Sequence, residues 1–263
     1  MLSILLICAG LGAIVGLLAG LLGIGGGLLI VPFLNYALPH FLDIPADIAM
    51  PMAIATSLST IILTSSASAL AHFRLGHLQK DILLWVGAGL AMGAILGALI
   101  ATSMPASLLK TAFGVLVLAI AMQMLLYSRK QSSNTYSSKT LLAIGLVTEA
   151  VSSLMGIGGG AILVPALVWY QVALTTAIGC AALGGFVIAI LGSLGYIVGG
   201  LGVAELPAWS LGYIYLPATL GVVCTSIFTA KYGAKLAQQL PTTKLKRFFA
   251  VFLIIVGLRM ILG

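Results

Sequence analysis

Two stretches decide how this chain is read. Gly23-Ile24-Gly25-Gly26-Gly27-Leu28-Leu29-Ile30-Val31-Pro32 returns as Gly156-Ile157-Gly158-Gly159-Gly160-Ala161-Ile162-Leu163-Val164-Pro165, at an offset of 133. Each holds four glycines in five residues, inside a long apolar run with no Asp, Glu, Lys or Arg before Asp43 in the first case and between Ala150 and Ala204 in the second. A self-similar pattern at fixed spacing marks an internal repeat. Glycine frees the backbone for tight turns and close approach, so each run predicts a break in an apolar helix.

The repeat extends outward from these stretches. Ala53-Ile54-Ala55 matches Ala177-Ile178-Gly179 at offset 124, where Gly76 meets Gly200, Asp81 meets Glu205, Trp85 meets Trp209 and Gly97 meets Gly221. Leu109-Lys110 and Phe113 meet Leu245-Lys246 and Phe249 at offset 136. The most polar stretch, Ser128 to Lys139, separates the copies and reads as a solvated linker. We therefore divide the chain into a first transmembrane repeat at 1–127, a cytoplasmic linker at 128–138 and a second transmembrane repeat at 139–263. Apolar segments are predicted at about 2–38, 48–73, 81–103 and 107–127, then at about 140–170, 174–199, 206–230 and 245–262, within a few residues.

Composition sets the solvent. Of 263 residues, 6% are charged and 61% hydrophobic, against about 25% charged in an ordinary soluble domain. A spanning helix needs roughly 20 mainly apolar residues, and several charge-free runs reach that length. The fold class is an all-α integral membrane protein of two inverted four-segment repeats, the first segment of each broken by its glycine run. The net charge of +7 reads as membrane topology and not as nucleic-acid binding, because the basic residues lie mostly between apolar segments. Met1 to Gly27 lacks a basic start and a polar exit, so it reads as a membrane segment and not a cleaved signal. Cys8, Cys180 and Cys224 sit in apolar runs without a CxxC pair and read as core packing.

Topology follows from the basic residues. If every segment crosses once, Arg74, Lys80, Arg129, Lys130, Lys139 and Arg259 face one side and Lys110, Lys231, Lys235, Lys244, Lys246 and Arg247 the other, six against six. If each broken segment turns back at its glycines, or crosses twice, only Lys110 and Arg259 oppose the other ten. The positive-inside rule favours the second arrangement. It makes the halves inverted copies, with the linker cytoplasmic and both termini periplasmic in the cell inner membrane. Inverted repeats with broken helices characterise secondary transporters.

The breaks are the candidate site. A half-helix N-terminus offers free N–H groups and a positive dipole end to an anion. Gly23, Gly25, Gly26 and Gly27, with Gly156, Gly158, Gly159 and Gly160, are the predicted substrate-binding residues. Thr56 and Ser57, after the repeated Ala-Ile-Ala element, are predicted to face the pore, and their counterparts Cys180 and Ala181 make the site asymmetric. The plain alternative for glycines and hydroxyls is helix packing. No Walker lysine follows either run, which argues against nucleotide binding.

Glu149 stands inside an apolar segment just before the second run. A carboxylate there is costly and marks function, here a coupling proton, or else a buried pair with Arg259 or a hydrogen-bonded structural role. Arg259 reads as a snorkelling end residue or an anion ligand, and its repeat partner Gln123 completes the coupling candidates. His40, His72 and His77 read as solvated or capping residues, so no metal site is predicted. No cofactor is expected. The partners are a small anionic substrate, the lipid bilayer and protons.

The paired glycine elements, with Ala55-Thr56-Ser57-Leu58 and His72-Phe73-Arg74-Leu75-Gly76, resemble the sulfite exporter TauE/SafE family over nearly the whole chain. The resemblance implies export of sulfite, sulfoacetate or a related organosulfonate, with Gly23 to Gly27, Gly156 to Gly160 and Thr56-Ser57 as the matching positions. The alternatives are an importer, or a carrier of another small anion or a metal ion. A metal carrier would need more membrane carboxylates or clustered His and Cys. An enzyme would need converging acid, base or nucleophile groups, and none is apparent.

Overall fold

The computed structural model describes residues 2–22, 26–74, 80–126, 137–237 and 242–262. Ten helices are described: α1 (Leu2–Leu22), α2 (Gly27–Leu42), α3 (Ala46–Arg74), α4 (Lys80–Ser103), α5 (Ala106–Leu126), α6 (Ser138–Met155), α7 (Gly160–Trp169), α8 (Leu174–Gly199), α9 (Leu216–Ala237) and α10 (Thr242–Leu262). Five are long and apolar enough to cross a membrane, within α3, α4, α5, α6 and α8. The chain is an all-α integral membrane protein.

Both predicted breaks lie where the glycines put them. Helix α1 ends at Leu22 and α2 begins at Gly27; α6 ends at Met155 and α7 begins at Gly160. Gly23 and Gly25 lie outside the described residues. The second break is a Schellman motif: Gly156 takes φ +67°, its N–H donates to the Ser153 carbonyl and the Ile157 N–H to that of Ser152. That backbone geometry is why a glycine stands there. Pro32 lies within α2 and Pro165 within α7.

One boundary departs from the sequence reading. Residues 206–215, expected to open the seventh apolar segment, are not helical. They carry a hairpin of β1 (Ser210–Leu211) and β2 (Ile214–Tyr215), antiparallel, with Ser210 opposite Tyr215. Pro207 removes an N–H donor, and Gly212 takes φ +54° at the turn. The helix resumes only at Leu216.

Helices meet along glycine faces. On α1, the place of a side chain at Gly12 is taken by Val222 and Thr225, and at Gly16 by Ser226 and Thr229, so α1 and α9 run parallel. On α4, Gly89 meets Leu142 and Leu146, Gly93 meets Leu146 and Ala150, and Gly97 meets Ala150, so α4 and α6 are also parallel. These are the two most extensive helix pairs. Leu90 with Gly184 and Thr102 with Gly199 make α4 parallel to α8; Leu58 with Gly192 and Ser65 with Gly185 make α3 antiparallel to α8. Gly114 with Ile261 and Leu118 with Gly257 make α5 antiparallel to α10. Bonds from Thr56 to Tyr215 and Ser59 to Thr219 make α3 parallel to α9. Lipid supplies no hydrophobic drive between helices, so this backbone-to-backbone packing is what holds the pairs.

The directions close consistently. Helices α4, α6, α8 and α10 point one way, and α1, α3, α5 and α9 the other. Because α1 and α3 share a direction, the chain must return between them through α2. The same holds for α7 between α6 and α8.

Candidate functional site

The two breaks touch. A side chain on Gly27 would overlap the Gly156 carbonyl oxygen, and its first carbon would lie 2.9 Å from the Ile157 Cα and 3.1 Å from Ser57 Oγ. Gly156 itself faces Ile54 of α3: the first carbon of a side chain there would lie 3.0 Å from the Ile54 Cα. Glycine at both positions is thus required by close approach, and the first turn of α2 starts beside the bend that precedes α7. Both half-helices start alike. The Gly26 carbonyl accepts from Leu29 and Ile30, and the Gly159 carbonyl from Ile162 and Leu163. A helix start leaves its first N–H groups without intrahelical partners.

Ser57 and Thr56 are fully buried here. Ser57 donates to the Gly156 carbonyl at 2.8 Å. Thr56 Oγ1 accepts from the Tyr215 N–H at 3.0 Å, which ties the β-hairpin to mid-α3. Ser59 continues the polar seam, at 2.6 Å from Thr219 Oγ1. Of the two predicted pore-facing hydroxyls, Ser57 therefore stands beside the breaks and Thr56 turns to the hairpin, and the bonds of both run to backbone. Cys180 and Ala181, their counterparts, are buried in the apolar cluster around Leu163 and Leu167.

Glu149 is fully buried, and neither carboxyl oxygen has a hydrogen-bond partner among the described residues. The position a side chain would take on Gly159 is 3.1 Å from Glu149 Oε2. Gly93 of α4 faces the Glu149 Cβ, and Ile188 of α8 reaches the same side-chain position on Gly159. The carboxyl thus lies at the start of α7, where the helix dipole favours negative charge. At offset 133 the first half has Gly16, so α2 carries no such group.

The expected alternative, a buried pair between Glu149 and Arg259, is not formed. Arg259 is exposed on α10, with its guanidinium 4.8 Å from the centre of the Tyr36 ring on α2. An arginine over an aromatic face is held by the ring's quadrupole, and its long stem lets it leave the apolar interior. Gln123 is exposed on α5, away from the breaks. His40 Nδ1 bonds the Tyr36 carbonyl at 2.8 Å in the last turn of α2, as a capping residue does. Side-chain placement at His72 and His77 lies outside the described residues. Cys8 and Cys180 are buried, whereas Cys224 is exposed on α9, which corrects the core reading for that thiol. Sequence reasoning missed Tyr36, Tyr215 and Gly93. Only Gly93 left a signal, as one of the small residues spaced every fourth position along α4.

Comparison with known proteins decides the family. The sequence profile described as sulfite exporter TauE/SafE matches residues 8–260. The chain belongs to that family. A probable membrane transporter protein of Haemophilus influenzae is 38% identical over the full length of both chains. Probable membrane transporter protein MJ0441 of Methanocaldococcus jannaschii is 28% identical, covering 95% of this chain and 93% of its own. Probable membrane transporter protein YunE of Bacillus subtilis is 24% identical, covering 95% of each. No solved structure matches. As a TauE/SafE member with these apolar helices, the protein is a multi-pass membrane transporter.

Proposed function

We propose that this transporter exports a small sulfur-containing anion, such as sulfite, sulfoacetate or a related organosulfonate, across the cell inner membrane. The observation that carries the reading is the meeting of the two breaks, with Gly27 against Gly156 and Ile157 and with Ser57 beside them. Two half-helix starts brought together near the middle of a bundle give an anion free N–H donors and two positive dipole ends.

The halves 1–127 and 139–263 act as inverted repeats joined by a cytoplasmic linker. Support comes from helix direction: α1 opposes α6, α3 opposes α8, α4 opposes α9 and α5 opposes α10. On that reading ten of the twelve basic residues belong to one face, leaving Lys110 and Arg259 to the other. The crowded face is then cytoplasmic and both termini periplasmic. Transport, and not catalysis, is the role of the polar groups.

Glu149 is the coupling group. Protonated, it lies neutral at the start of α7; ionised, it competes with the substrate for the same positive end. A proton taken up as the anion binds and released as the anion leaves would link the two fluxes.

The test is flux of radiolabelled sulfite and sulfoacetate in proteoliposomes, with and without an imposed pH gradient. Gradient-dependent flux that disappears with bulky residues at Gly27 and Gly159 is the expected result. Folded protein that moves neither anion would remove the substrate assignment.

A further inference from the structure

A cleft of about 760 Å³ lies on the face opposite the crowded basic one, between α1, α2, the starts of α3 and α5, and the end of α10. It follows α2 from His40 down to Leu29, a length of roughly 16 Å at the rise of an α-helix. Its charged lining consists of Lys110 and Arg259, with His40 at the same end and no carboxylate among the lining residues. The nearest acids in sequence, Asp43 and Asp47, stand outside it. Asp47 instead faces the hairpin, where burial and then that carboxylate hold the Tyr213 phenol above its ordinary range.

The two cations form a ladder. Gly114 lies level with Ile261, and Leu118 with Gly257, so Lys110 sits roughly 9 Å nearer the membrane face than Arg259 by helical rise. Arg259 is fixed over Tyr36, which in turn stacks on His40 with ring centroids 4.1 Å apart. A guanidinium held by an aromatic face is preorganised to receive an oxyanion bidentately. Below it the walls are apolar, from Leu29, Phe33, Ile255 and Val256. At the bottom, Val15 lines the cleft and also covers Gly26, whose side-chain position is 2.5 Å from Val15 Cγ1.

We propose that this cleft is a second anion-binding site, a vestibule that takes an organic sulfonate or carboxylate with its oxyanion on Arg259 and Lys110 and its carbon body against the apolar walls. An inorganic oxyanion uses only the charged end, whereas an organic anion also gains from apolar area removed from water. Charge complementarity selects an anion over a neutral solute. The site is distinct from the meeting of the two breaks and stands whether or not that meeting binds substrate.

The experiment is calorimetric titration of the whole protein in nanodiscs of zwitterionic lipid, with hexane-1-sulfonate, inorganic sulfate and hexan-1-ol as probes and empty nanodiscs subtracted. Hexane-1-sulfonate is expected to bind at least tenfold more tightly than either other probe. Arg259→Gln should weaken it at least tenfold. Ile255→Trp, which narrows the cleft without touching charge, should weaken it as well, while Cys224→Ser, on the exposed surface of α9 and outside the cleft lining, should leave it unchanged. Equal affinity in wild type, Arg259→Gln and Ile255→Trp overturns the proposal. Retention of phosphatidylglycerol by wild type but not Arg259→Gln in native mass spectrometry, with sulfonate unable to displace it, also overturns it and makes the cleft a lipid site. A dimer whose affinity for the probe rises on dissociation would assign the face to a second copy, with the same consequence.

Discussion

The hydroxyl of Ser57, in the middle of α3, donates to the carbonyl oxygen of Gly156, the residue at which α6 ends, across 2.8 Å. A carbonyl freed by a helix bend inside a bilayer has no water to turn to. Ser57→Ala leaves that acceptor without this donor, at a cost of about 1–3 kcal/mol. The measurement is thermal unfolding in detergent, with a lowered Tm expected. An unchanged Tm would mean that the bond contributes nothing net.

Gly27 and Gly10 should respond oppositely to the same change. Alanine at Gly27 meets the Gly156 carbonyl and the Ile157 Cα, both backbone, which cannot swing aside. Overpacking of this kind costs about 1–3 kcal/mol, and transport should fall with stability. Nothing lies within 4 Å of the corresponding position on Gly10, in the interior of α1. There alanine should stabilise by up to about 1 kcal/mol through helix propensity. Paired melts of the two variants check the contrast.

Thr56→Val should loosen the hairpin. It removes the acceptor of the Tyr215 N–H, and valine is close to threonine in shape. Faster amide hydrogen exchange at Tyr215, with α3 itself unaffected, is the expected outcome. Exchange equal to wild type would show that the β1–β2 ladder alone holds Tyr215.

Glu149→Gln should separate anion flux from the proton gradient. The side chain keeps its size beside Gly93, Gly159 and Ile188 but can no longer ionise. Flux should persist down an anion gradient and stop responding to imposed pH. Proton-dependent flux equal to wild type would remove Glu149 from the coupling role.

Cysteines at Lys139 and Lys235, both exposed, should react with a membrane-impermeant thiol reagent from one face in a background without Cys8, Cys180 and Cys224. A cysteine at Ser107 should react from the other. If each broken segment crossed once, Lys139 and Lys235 would label from opposite faces instead, and the inverted arrangement would fail.

What the sequence determined was local or statistical. Apolar runs without charge fixed the solvent as lipid, since no soluble fold of this length could bury them. The glycine runs fixed the breaks, because a bend such as Gly156 needs a backbone that only glycine supplies cheaply. The uneven split of lysines and arginines pointed to the returning path. Three matters were decided only in three dimensions. The start of the seventh segment moved to Leu216, because its apolar residues suit a hairpin with one buried strand as well as a helix and the Thr56 acceptor lies far away in sequence. Arg259 turned to Tyr36 and not to Glu149, because each belongs to a different helix face and no spacing rule relates α10 to α2 or α6. The contact of Gly27 with Gly156 joins residues more than a hundred apart. Hydrophobic periodicity and composition report on a residue's own helix, whereas which helices meet, and at what level, is set by the packing of glycine faces along their whole length.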